Sequence, residues 1–386
     1  MKIKVNNKKI LTVMFVLFFV TELFFSYTIL SRFMLILFCG LSCIWCRKLY
    51  INPFCISYTF FCIWSLINIF FGHVIDRHIA MDMTMTLILN CMFLYGFTQY
   101  CGLIKEPIVV LKTYKNICVF ASCFFCVFGM SSIFSGERLS VLGINANAIG
   151  TFAAYSLIIH IYQLYENRRF NFRDVLIFIL FITVILFSGS RKGVLIPIFG
   201  WYVMLCLQKP KKILKYSVII IGFVILVVML VLNIDFLYNI IGYRIEPLLL
   251  FLKGMNYEED SLMTRNHFIQ YAWESSQESM IWGHGLDCFR TLPRAYDTYS
   301  HCNYLEILFS TGIVGVLIYY STSVIALIKA KKTLRHNNKD VVLMLVLLIP
   351  FLICDFLNVT YFTRRMIIIP SITIMFLRRY RNEYNK

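Results

Sequence analysis

Long apolar runs recur along the whole chain, and they constrain its fold more than any other feature of the sequence. A helix needs about 20 consecutive apolar residues to cross the hydrocarbon core of a bilayer. The sequence therefore predicts an all-α, polytopic integral membrane protein with about twelve transmembrane helices, all in a single membrane domain over residues 1–386. The predicted spans are 10–30, 33–46, 52–72, 82–104, 116–134, 145–165, 175–189, 193–208, 216–234, 302–328, 341–358 and 366–378.

The composition supports this class and leaves no room for a separate soluble domain. Of 386 residues, 59% are hydrophobic and 15% charged, whereas soluble domains are nearer 45–50% apolar and about 25% charged. Lys2, Lys4, Lys8 and Lys9 precede the first apolar run, as in a signal peptide. That run is too long for a signal peptide and lacks a small-residue cleavage site, so a retained first span is predicted.

The net charge of +17 is explained by the orientation of the chain in the membrane and does not indicate a nucleic-acid partner. With the N-terminus inside, 25 of the 37 lysines and arginines fall in segments on the inner side. This is the positive-inside bias of membrane proteins, and it predicts that both termini are cytoplasmic. A nucleic-acid site would instead combine a basic patch with exposed aromatic residues.

One connector departs from the apolar pattern and is predicted to be a large extracytoplasmic loop, residues 235–300. Its first third, residues 236–253, remains apolar and predicts a helix in the membrane interface or a re-entrant segment. An acidic stretch, residues 258–260, then favours a helix that starts at Ser261, since carboxylates stabilise helix N-termini. Gly283-His284-Gly285 is predicted to break this helix.

A polar cluster follows this loop, at the start of the tenth predicted span. It contains His301, Asn303, Tyr304 and Glu306. A histidine at such a boundary titrates near neutral pH and can exchange a proton with a hydroxyl group. Glu306 lies five residues further on, about 140° around a helix, so the two side chains do not share a face. The alternative is that His301 and Tyr304 are interfacial anchors and that Asn303 caps the helix.

Several arginines are predicted on the outer side, where they could bind an anion. Arginine forms paired hydrogen bonds to phosphate oxygens and keeps its charge. The turn Ser188-Gly189-Ser190-Arg191-Lys192-Gly193 also offers backbone amides, and it places two cations against the positive-inside rule. Contact with lipid head groups is the alternative. The arginines concerned are Arg191, Arg244, Arg265, Arg290 and Arg294.

Asn145-Ala146-Asn147 opens the sixth predicted span between Gly143 and Gly150. Small residues and amides in this arrangement would let the backbone approach either a sugar or a neighbouring helix, and helix packing is an equally good explanation. The sequence contains no Walker loop, zinc-type spacing or Asp-x-Asp pair, so no metal, nucleotide or other cofactor is predicted. Whether Cys288 and Cys302 are bridged is left open, because sequence does not give their separation.

The order of these motifs resembles the O-antigen polymerase and ligase family, over roughly residues 140–320 by motif and the whole chain by hydropathy. The resemblance rests on Asn145-Ala146-Asn147, the Ser188–Gly193 turn, Arg265 in a loop with Trp282-Gly283-His284-Gly285, and the cluster at His301. It implies glycosyl transfer from undecaprenyl-pyrophosphate-linked oligosaccharides on the outer face of the bacterial cytoplasmic membrane. It further implies that Arg191 and Arg265 hold the pyrophosphate and that His301 assists at the acceptor. We also predict Arg244 as a weaker partner for the pyrophosphate and Glu306 as a supporting catalytic residue. Asn303, like Glu306, would position the sugar or the histidine, and Tyr304 and Asn147 are the remaining predicted substrate-binding residues.

The favoured function is therefore an oligosaccharide repeat-unit polymerase for a capsule, exopolysaccharide or O-antigen, with flippase and chain-length regulator proteins as expected partners. One alternative is a ligase that transfers finished polymer to another acceptor. Another is a flippase or transporter of the lipid-linked sugar, which would be expected to place charges along several spans. A structural membrane subunit is the remaining alternative.

Overall fold

The computed structural model describes residues 7–26, 28–46, 48–135, 137–139, 141–167, 171–252, 260–334 and 339–384. Within these ranges the chain is helical and contains no β-strand. The first helices are α1 (Asn7–Phe24), α2 (Ile29–Trp45), α3 (Pro53–Phe71), α4 (Arg77–Ile104), α5 (Pro107–Phe128), α6 (Met130–Phe134), α7 (Ala146–Asn167) and α8 (Phe172–Phe187). The later helices are α9 (Arg191–Gln208), α10 (Ile213–Asn233), α11 (Asp235–Leu237), α12 (Tyr243–Leu252), α13 (Asp260–Ser276), α14 (Asn303–Thr333), α15 (Lys339–Cys354) and α16 (Arg364–Tyr384).

Each predicted span overlaps one of these helices. By length and apolar composition, five helical stretches in the described residues are able to cross a membrane: Pro53–Phe71, Arg77–Ile104, Pro107–Phe128, Pro210–Asn233 and Asn303–Lys331. The all-helical class is confirmed. The count of about twelve crossings, and the placement of residues 235–300 outside the membrane, stay predictions.

Local sequence signals set where helices begin. Asn52 caps α3: its side-chain oxygen accepts a hydrogen bond from the Phe54 N–H at 3.0 Å, and Pro53 occupies the first helical position, which needs no amide donor. Asp76 caps α4 in the same way through the N–H groups of His78 and Ile79.

The core is aromatic, but it also contains a buried ion pair that joins three helices. Arg364, the first residue of α16, donates to the Glu22 carboxylate on α1 at 3.1 Å. The Ser31 hydroxyl on α2 donates to the same carboxylate at 2.6 Å. Both charged side chains are only 4% exposed. Because removal of one partner would leave a buried charge unpaired, this contact disfavours any packing of α1 and α16 that separates the two side chains.

The region from 235 to 300 is helical over much of its described length. A single π-helical turn, Tyr238–Gly242, leads into α12. The helix predicted from Ser261 begins at Asp260 and ends at Ser276, before the predicted break at Gly283. The Ser276 hydroxyl donates hydrogen bonds to the carbonyl groups of Ala272 and Trp273. These bonds favour the end of α13 at Ser276, before Gly283. Residues 253–259, with most of the predicted acidic start, lie outside the described residues.

Helix α14 is interrupted at Gly312, which has φ +66° and ψ −174°. The segment 280–285 replaces the lost helical hydrogen bonds. The His284 N–H donates to the Phe309 carbonyl at 2.8 Å, the Gly285 N–H to the Ser310 carbonyl at 2.9 Å, and the Ile313 N–H to the Met280 carbonyl at 2.8 Å. Trp64 of α3 donates its indole N–H to the Thr311 carbonyl at 2.8 Å. The Trp-Gly-His-Gly motif is thus bonded directly to α14.

Candidate active site

A tight turn at residues 300–302 comes directly before α14 and carries His301. The Glu306 carboxylate, in the first turn of α14, accepts a hydrogen bond from the Ser300 backbone N–H at 2.8 Å. The Ser300 hydroxyl donates to the Cys302 carbonyl at 3.1 Å. His301 has a φ of +62°, a left-handed conformation that is uncommon for a residue with a Cβ. The hydrogen bonds on either side of His301 therefore hold it in a conformation that it would rarely adopt alone.

The His301 imidazole is half-buried between two aromatic rings. It stacks on Phe268, with ring centres 5.8 Å apart, and lies 4.5 Å from the Tyr299 ring. Burial and, to a smaller extent, the positive charges of Arg265 and Lys192 together lower the pKa of His301 to about 4, because each disfavours the imidazolium form. The ring is therefore neutral at pH 7 and able to accept a proton.

Arg265 reaches this histidine from α13. It lies three residues before Phe268, so both side chains are on one face of the helix. The Phe268 ring contacts His301, and the Arg265 guanidinium is close enough to shift the His301 pKa. Arg265 is half-buried. The structure thus brings together two of the predicted site residues, Arg265 and His301.

Arg191 and Lys192 are the first two residues of α9, at the turn that joins it to α8. Ser190 caps the helix, and its hydroxyl accepts the Gly193 N–H at 3.3 Å. The N-terminus of a helix already carries a partial positive charge and free N–H groups. Two cationic side chains in this first turn add to that charge instead of balancing it. The turn is therefore suited to an anion.

Two further arginines bind the carbonyl groups of the same turn. The Arg138 Nε–H donates to the Ser188 carbonyl at 2.9 Å, and Arg244 donates from a terminal nitrogen to the Gly189 carbonyl at 3.3 Å. Burial, together with the positive charges of Arg244 and Arg265, lowers the pKa of Arg138 to about 10. Arg138, Arg244, Arg265 and Lys192 come from four segments of the chain and lie close enough for their charges to interact. The region among them is a cationic space.

Sequence analysis did not select Arg138. It stands in the connector before α7, without a motif and with no second cation nearby in the sequence. The available signal was its position on the predicted outer side, where cations are scarce under the positive-inside rule.

Helix α7 packs against the α8–α9 turn through its first residues. The Asn147 side-chain oxygen accepts a hydrogen bond from Arg138 at 2.9 Å. A Cβ at Gly150 would lie 3.0 Å from the Ser190 Cβ, and Gly193 lies directly opposite Gly150. The small residues of this motif therefore permit close helix packing, and Asn147 acts on the site through Arg138.

Asn303 is fully buried, and its side chain is bonded within the protein. Its amide donates to the Tyr320 hydroxyl at 2.7 Å and to the Asp355 carboxylate at 3.2 Å. Its oxygen accepts the N–H groups of Thr360 and Tyr361 at 2.8 and 3.0 Å. All the usual hydrogen bonds of a carboxamide are thereby made. Through these hydrogen bonds Asn303 connects the start of α14 to the segment between α15 and α16.

Tyr304 and Glu306 also face the protein rather than the cationic space. The Tyr304 hydroxyl donates to the Leu352 carbonyl at 2.9 Å, and its ring stacks on Tyr320 with centres 4.6 Å apart. Glu306 is 1% exposed and holds the His301 turn through Ser300. Neither side chain is hydrogen-bonded to the imidazole.

Cys288 and Cys302 are both free and buried, and the Cys288 thiol donates to the Asp76 carbonyl at 3.3 Å. In the described part of the chain, no three His, Cys, Asp or Glu side chains are grouped so as to hold a metal ion. At this site the described residues bring together the neutral His301 imidazole, the Lys192 ammonium group and the guanidinium groups of Arg138, Arg244 and Arg265.

Comparisons with known proteins identify a family for part of the chain. A family model described as O-antigen ligase matches residues 176–320. This match includes Arg191, Arg244, Arg265 and His301, and it confirms the resemblance to the O-antigen polymerase and ligase family. A search of curated proteins finds none that matches the chain. Together with the apolar helices, the family match indicates a multi-pass membrane protein.

Proposed function

We propose that this protein is a polysaccharide polymerase, and the match of residues 176–320 to a family model described as O-antigen ligase supports this class of enzyme. The protein joins undecaprenyl-pyrophosphate-linked oligosaccharide repeat units on the outer face of the bacterial cytoplasmic membrane. The observation that carries the proposal is the convergence of Arg138, Lys192, Arg244 and Arg265 beside the neutral His301. The product would be a capsule, an exopolysaccharide or an O-antigen.

The cationic space suits the pyrophosphate of a lipid-linked sugar. No carboxylate of the described residues is among the groups that shift the pKa of Arg138 or His301. Cations that repel one another in a half-buried space are stabilised when a multivalent anion binds between them. Arg191 and Arg265 would hold the pyrophosphate, with Arg244 as a further contact. The same charges would stabilise the negative charge that develops on the leaving group.

His301 would act as the general base. One of its ring nitrogens accepts the proton of a sugar hydroxyl on the incoming repeat, and that hydroxyl oxygen forms the new bond to the anomeric carbon of the growing chain. The bond between this carbon and the pyrophosphate oxygen breaks, and the lipid pyrophosphate leaves with the electron pair. Since the glycosyl group is already activated by its pyrophosphate, the reaction needs no nucleotide.

The remaining predicted residues support this arrangement. Glu306 would act by positioning His301 through the Ser300 N–H, rather than by exchanging a proton with substrate. Asn303 would fix the start of α14, and Asn147 would hold Arg138. Tyr304, half-buried at the edge of the same helix end, remains a candidate for sugar contact through the exposed part of its ring.

A ligase is the alternative in the same family, and its acceptor would be a molecule other than a lipid-linked repeat. The two functions predict different intermediates in cells without the protein. Loss of a polymerase leaves single repeats on the lipid carrier, whereas loss of a ligase leaves long polymer on it. A flippase is the weaker alternative, because the cations described here meet at one end of α9 rather than along several spans. A flippase and a chain-length regulator are the expected partners of the polymerase.

The test uses His301→Ala and Arg265→Ala, made separately and expressed at the wild-type level in the native host. Lipid-linked glycans are then resolved by size. The expected result is accumulation of single repeats in both variants. Long polymer on the lipid carrier in both would show that the proposed roles are wrong.

Matched controls are available in the chain. His78→Ala removes a histidine that is 94% exposed, and Arg294→Ala removes an exposed arginine near the end of the 280–300 segment. Both controls should make polymer of normal length. A loss of polymer in the controls as well would point to a general folding or expression defect.

A further inference from the structure

A row of four aromatic rings leads from the protein surface to His301 and past it. Tyr296 contacts Phe268, with ring centres 6.4 Å apart, and Phe268 stacks on His301 at 5.8 Å. The Tyr299 ring follows, 4.5 Å from the imidazole. Tyr296 is 76% exposed, whereas Phe268 is 2% exposed. The row therefore joins an exposed ring to the proposed general base through a buried one.

Tyr296 stands in a tight turn, residues 295–298, whose backbone is unfavourable for its sequence. The Thr298 N–H donates to the Ala295 carbonyl at 3.0 Å, and the two central residues, Tyr296 and Asp297, have φ of +49° and +54°. Two positive φ values are typical of a type I′ turn, in which Gly, Asn and Asp dominate. Because a tyrosine has a Cβ and a large ring, this conformation costs free energy. Strained backbone of this kind is concentrated at functional sites.

The protein holds this turn from both sides. Ala295 is fully buried, and its N–H donates to the Leu292 carbonyl at 3.0 Å. On the other side, the Ser300 N–H donates to the buried Glu306 carboxylate. The position of the turn is therefore fixed relative to His301, as a subsite that aligns a substrate with its catalytic group requires.

Charged side chains lie beside the exposed ring. Asp297 is exposed and is close enough to Asp287 and Arg290 for their charges to interact. Arg290 donates a hydrogen bond to Asp287. The C–H groups on one face of a sugar ring pack well on an aromatic ring, and sugar hydroxyls form strong hydrogen bonds to charged groups. The surroundings of Tyr296 are therefore suited to a sugar.

An anchor in the membrane interface is the other common use of an exposed tyrosine. Such an anchor needs only exposure. It needs neither a left-handed backbone nor contact with the ring that stacks on His301. The geometry of Tyr296 therefore favours a sugar over a lipid.

The chemistry differs between the two neighbours of His301 on α13. Arg265 and Phe268 share one face of this helix, about 4.5 Å apart along its axis. Arg265 belongs to the cationic space, whereas Phe268 connects His301 to Tyr296. A donor whose pyrophosphate lies among the cations leaves the exposed end of the aromatic row to the acceptor.

We propose that Tyr296 and Asp297 form an acceptor subsite for the glycan. The terminal sugar of the incoming repeat presents its hydroxyl to His301, and the sugar that follows it stacks on Tyr296 and donates a hydrogen bond to Asp297. This inference rests on the proposed function. It assigns recognition of the acceptor to its sugars instead of its lipid, so an oligosaccharide without a lipid is also bound.

The first test measures binding and does not depend on catalysis. The probe is the repeat-unit oligosaccharide, released by mild acid from the lipid-linked sugars of the native host and freed of lipid. Its affinity for the full-length protein in nanodiscs is measured by calorimetry. Tyr296→Ala is expected to weaken binding about tenfold. Tyr296→Phe keeps the ring and should bind nearly as well as the wild type.

A matched control lies on α7. Tyr165 is 39% exposed, and Tyr165→Ala should bind the oligosaccharide with wild-type affinity. Equal affinity in Tyr296→Ala and the wild type would overturn the proposal, as would an equal loss in Tyr165→Ala. If Tyr296→Ala changes only the unfolding temperature in nanodiscs and not that in detergent, the ring is a membrane anchor and the proposal is wrong.

The second test separates the two substrates of transfer. The lipid-linked donor and the lipid-free oligosaccharide acceptor are varied independently in nanodiscs. Tyr296→Ala is expected to raise the KM for the acceptor about tenfold and to leave the KM for the donor unchanged. Asp297→Asn removes the carboxylate but keeps a residue that tolerates a positive φ, and it should raise the same KM by about threefold. An equal rise in both KM values would overturn the proposal.

The two tests distinguish this inference from the proposed function. If Tyr296→Ala weakens binding but the wild type transfers no sugar, the glycan subsite stands and the polymerase function falls. If the wild type makes polymer and Tyr296→Ala has an unchanged KM for the acceptor, the polymerase function stands and the subsite falls.

Discussion

The Glu306 carboxylate and the Ser300 backbone N–H, six residues apart in the chain, meet at 2.8 Å inside the protein. Between them stands His301, held at φ +62°. The carboxylate is 1% exposed, so solvent does not compete for this hydrogen bond. The contact explains how a histidine on a loop, where side chains are ordinarily more mobile, is kept in one position.

This relationship predicts that Glu306 is needed as an acceptor and not as an acid or base. Glu306→Gln keeps a side-chain oxygen for the Ser300 N–H and should retain most of the activity. Glu306→Ala leaves that N–H unpaired, at a cost of about 1–3 kcal/mol, and should reduce activity and thermal stability together. The rate of polymer formation and the unfolding temperature in detergent are the two measurements. A Gln variant as inactive as His301→Ala would instead give Glu306 a direct part in proton transfer.

The lowered pKa of His301 predicts how the protein responds to acid. The pKa of a histidine in the unfolded chain is about 6.5, and in the folded protein it is about 4. Between these values the unfolded chain binds more protons than the folded one, so this group destabilises the folded state as the pH falls through that window. Carbon-13 resonances of labelled histidine, assigned with His301→Asn, measure the titration directly.

Arg265→Gln should raise this pKa, because it removes one of the two positive charges that oppose protonation. Arg294→Gln, at an exposed position, serves as the control and should leave the resonance unchanged. A His301 that titrates near pH 6.5 in the wild type would show that the ring is not buried among these cations.

Arg138 is predicted to position the α8–α9 turn and to add to its positive charge. Arg138→Gln should raise the KM for the lipid-linked substrate about tenfold, because it removes the charge and one of the two bonds to Ser188 and Asn147. Arg138→Lys keeps the charge and should recover part of that loss. Kinetics in nanodiscs separate KM from kcat, and unfolding temperatures are measured beside them. If Arg138→Lys and Arg138→Gln lower the unfolding temperature and kcat to the same extent and leave KM unchanged, Arg138 contributes only to packing.

The break in α14 predicts that Gly312 cannot be replaced by alanine. Its φ of +66° is unfavourable for any residue with a Cβ, and that Cβ would lie well inside contact distance of the Ile281 carbonyl. The free energy of unfolding should fall by about 1–3 kcal/mol or more. Gly222→Ala is the matched control: Gly222 lies within α10, and a Cβ added there would meet no neighbouring atom within 4 Å, so alanine should be neutral or stabilising. Equal losses in both variants would contradict the role given to the break.

The helical class and the position of most helices were predictable from the apolar runs, because hydropathy alone decides whether a segment is stable in a bilayer. The grouping of Arg265 with His301 was also predictable, through the family resemblance. The packing of Phe268 on His301 was not. It depends on how α13 lies against α14, and no local pattern encodes that orientation.

Other features depend on partners that are distant in sequence. From the sequence, Asn303 could be a helix cap or a sugar-binding amide. In the structure its side chain is hydrogen-bonded to Asp355, Thr360 and Tyr361. The interruption of α14 at Gly312 could not be predicted from the sequence, because the apolar run continues on both sides of this glycine. Arg138 belongs to no motif, and its role follows from its hydrogen bonds to the Ser188 carbonyl and the Asn147 side chain.

The pairing between residues 280–285 and the break in α14 has a consequence for how the protein is made. A backbone carbonyl or N–H left without a partner in hydrocarbon costs several kcal/mol, and the groups freed around Gly312 are satisfied by Met280, His284, Gly285 and Trp64. Helix α14 therefore cannot reach its final form in the membrane until the preceding segment and α3 are in place. Completion of this helix and formation of the turn at residues 300–302 are therefore coupled to the folding of the segment before it.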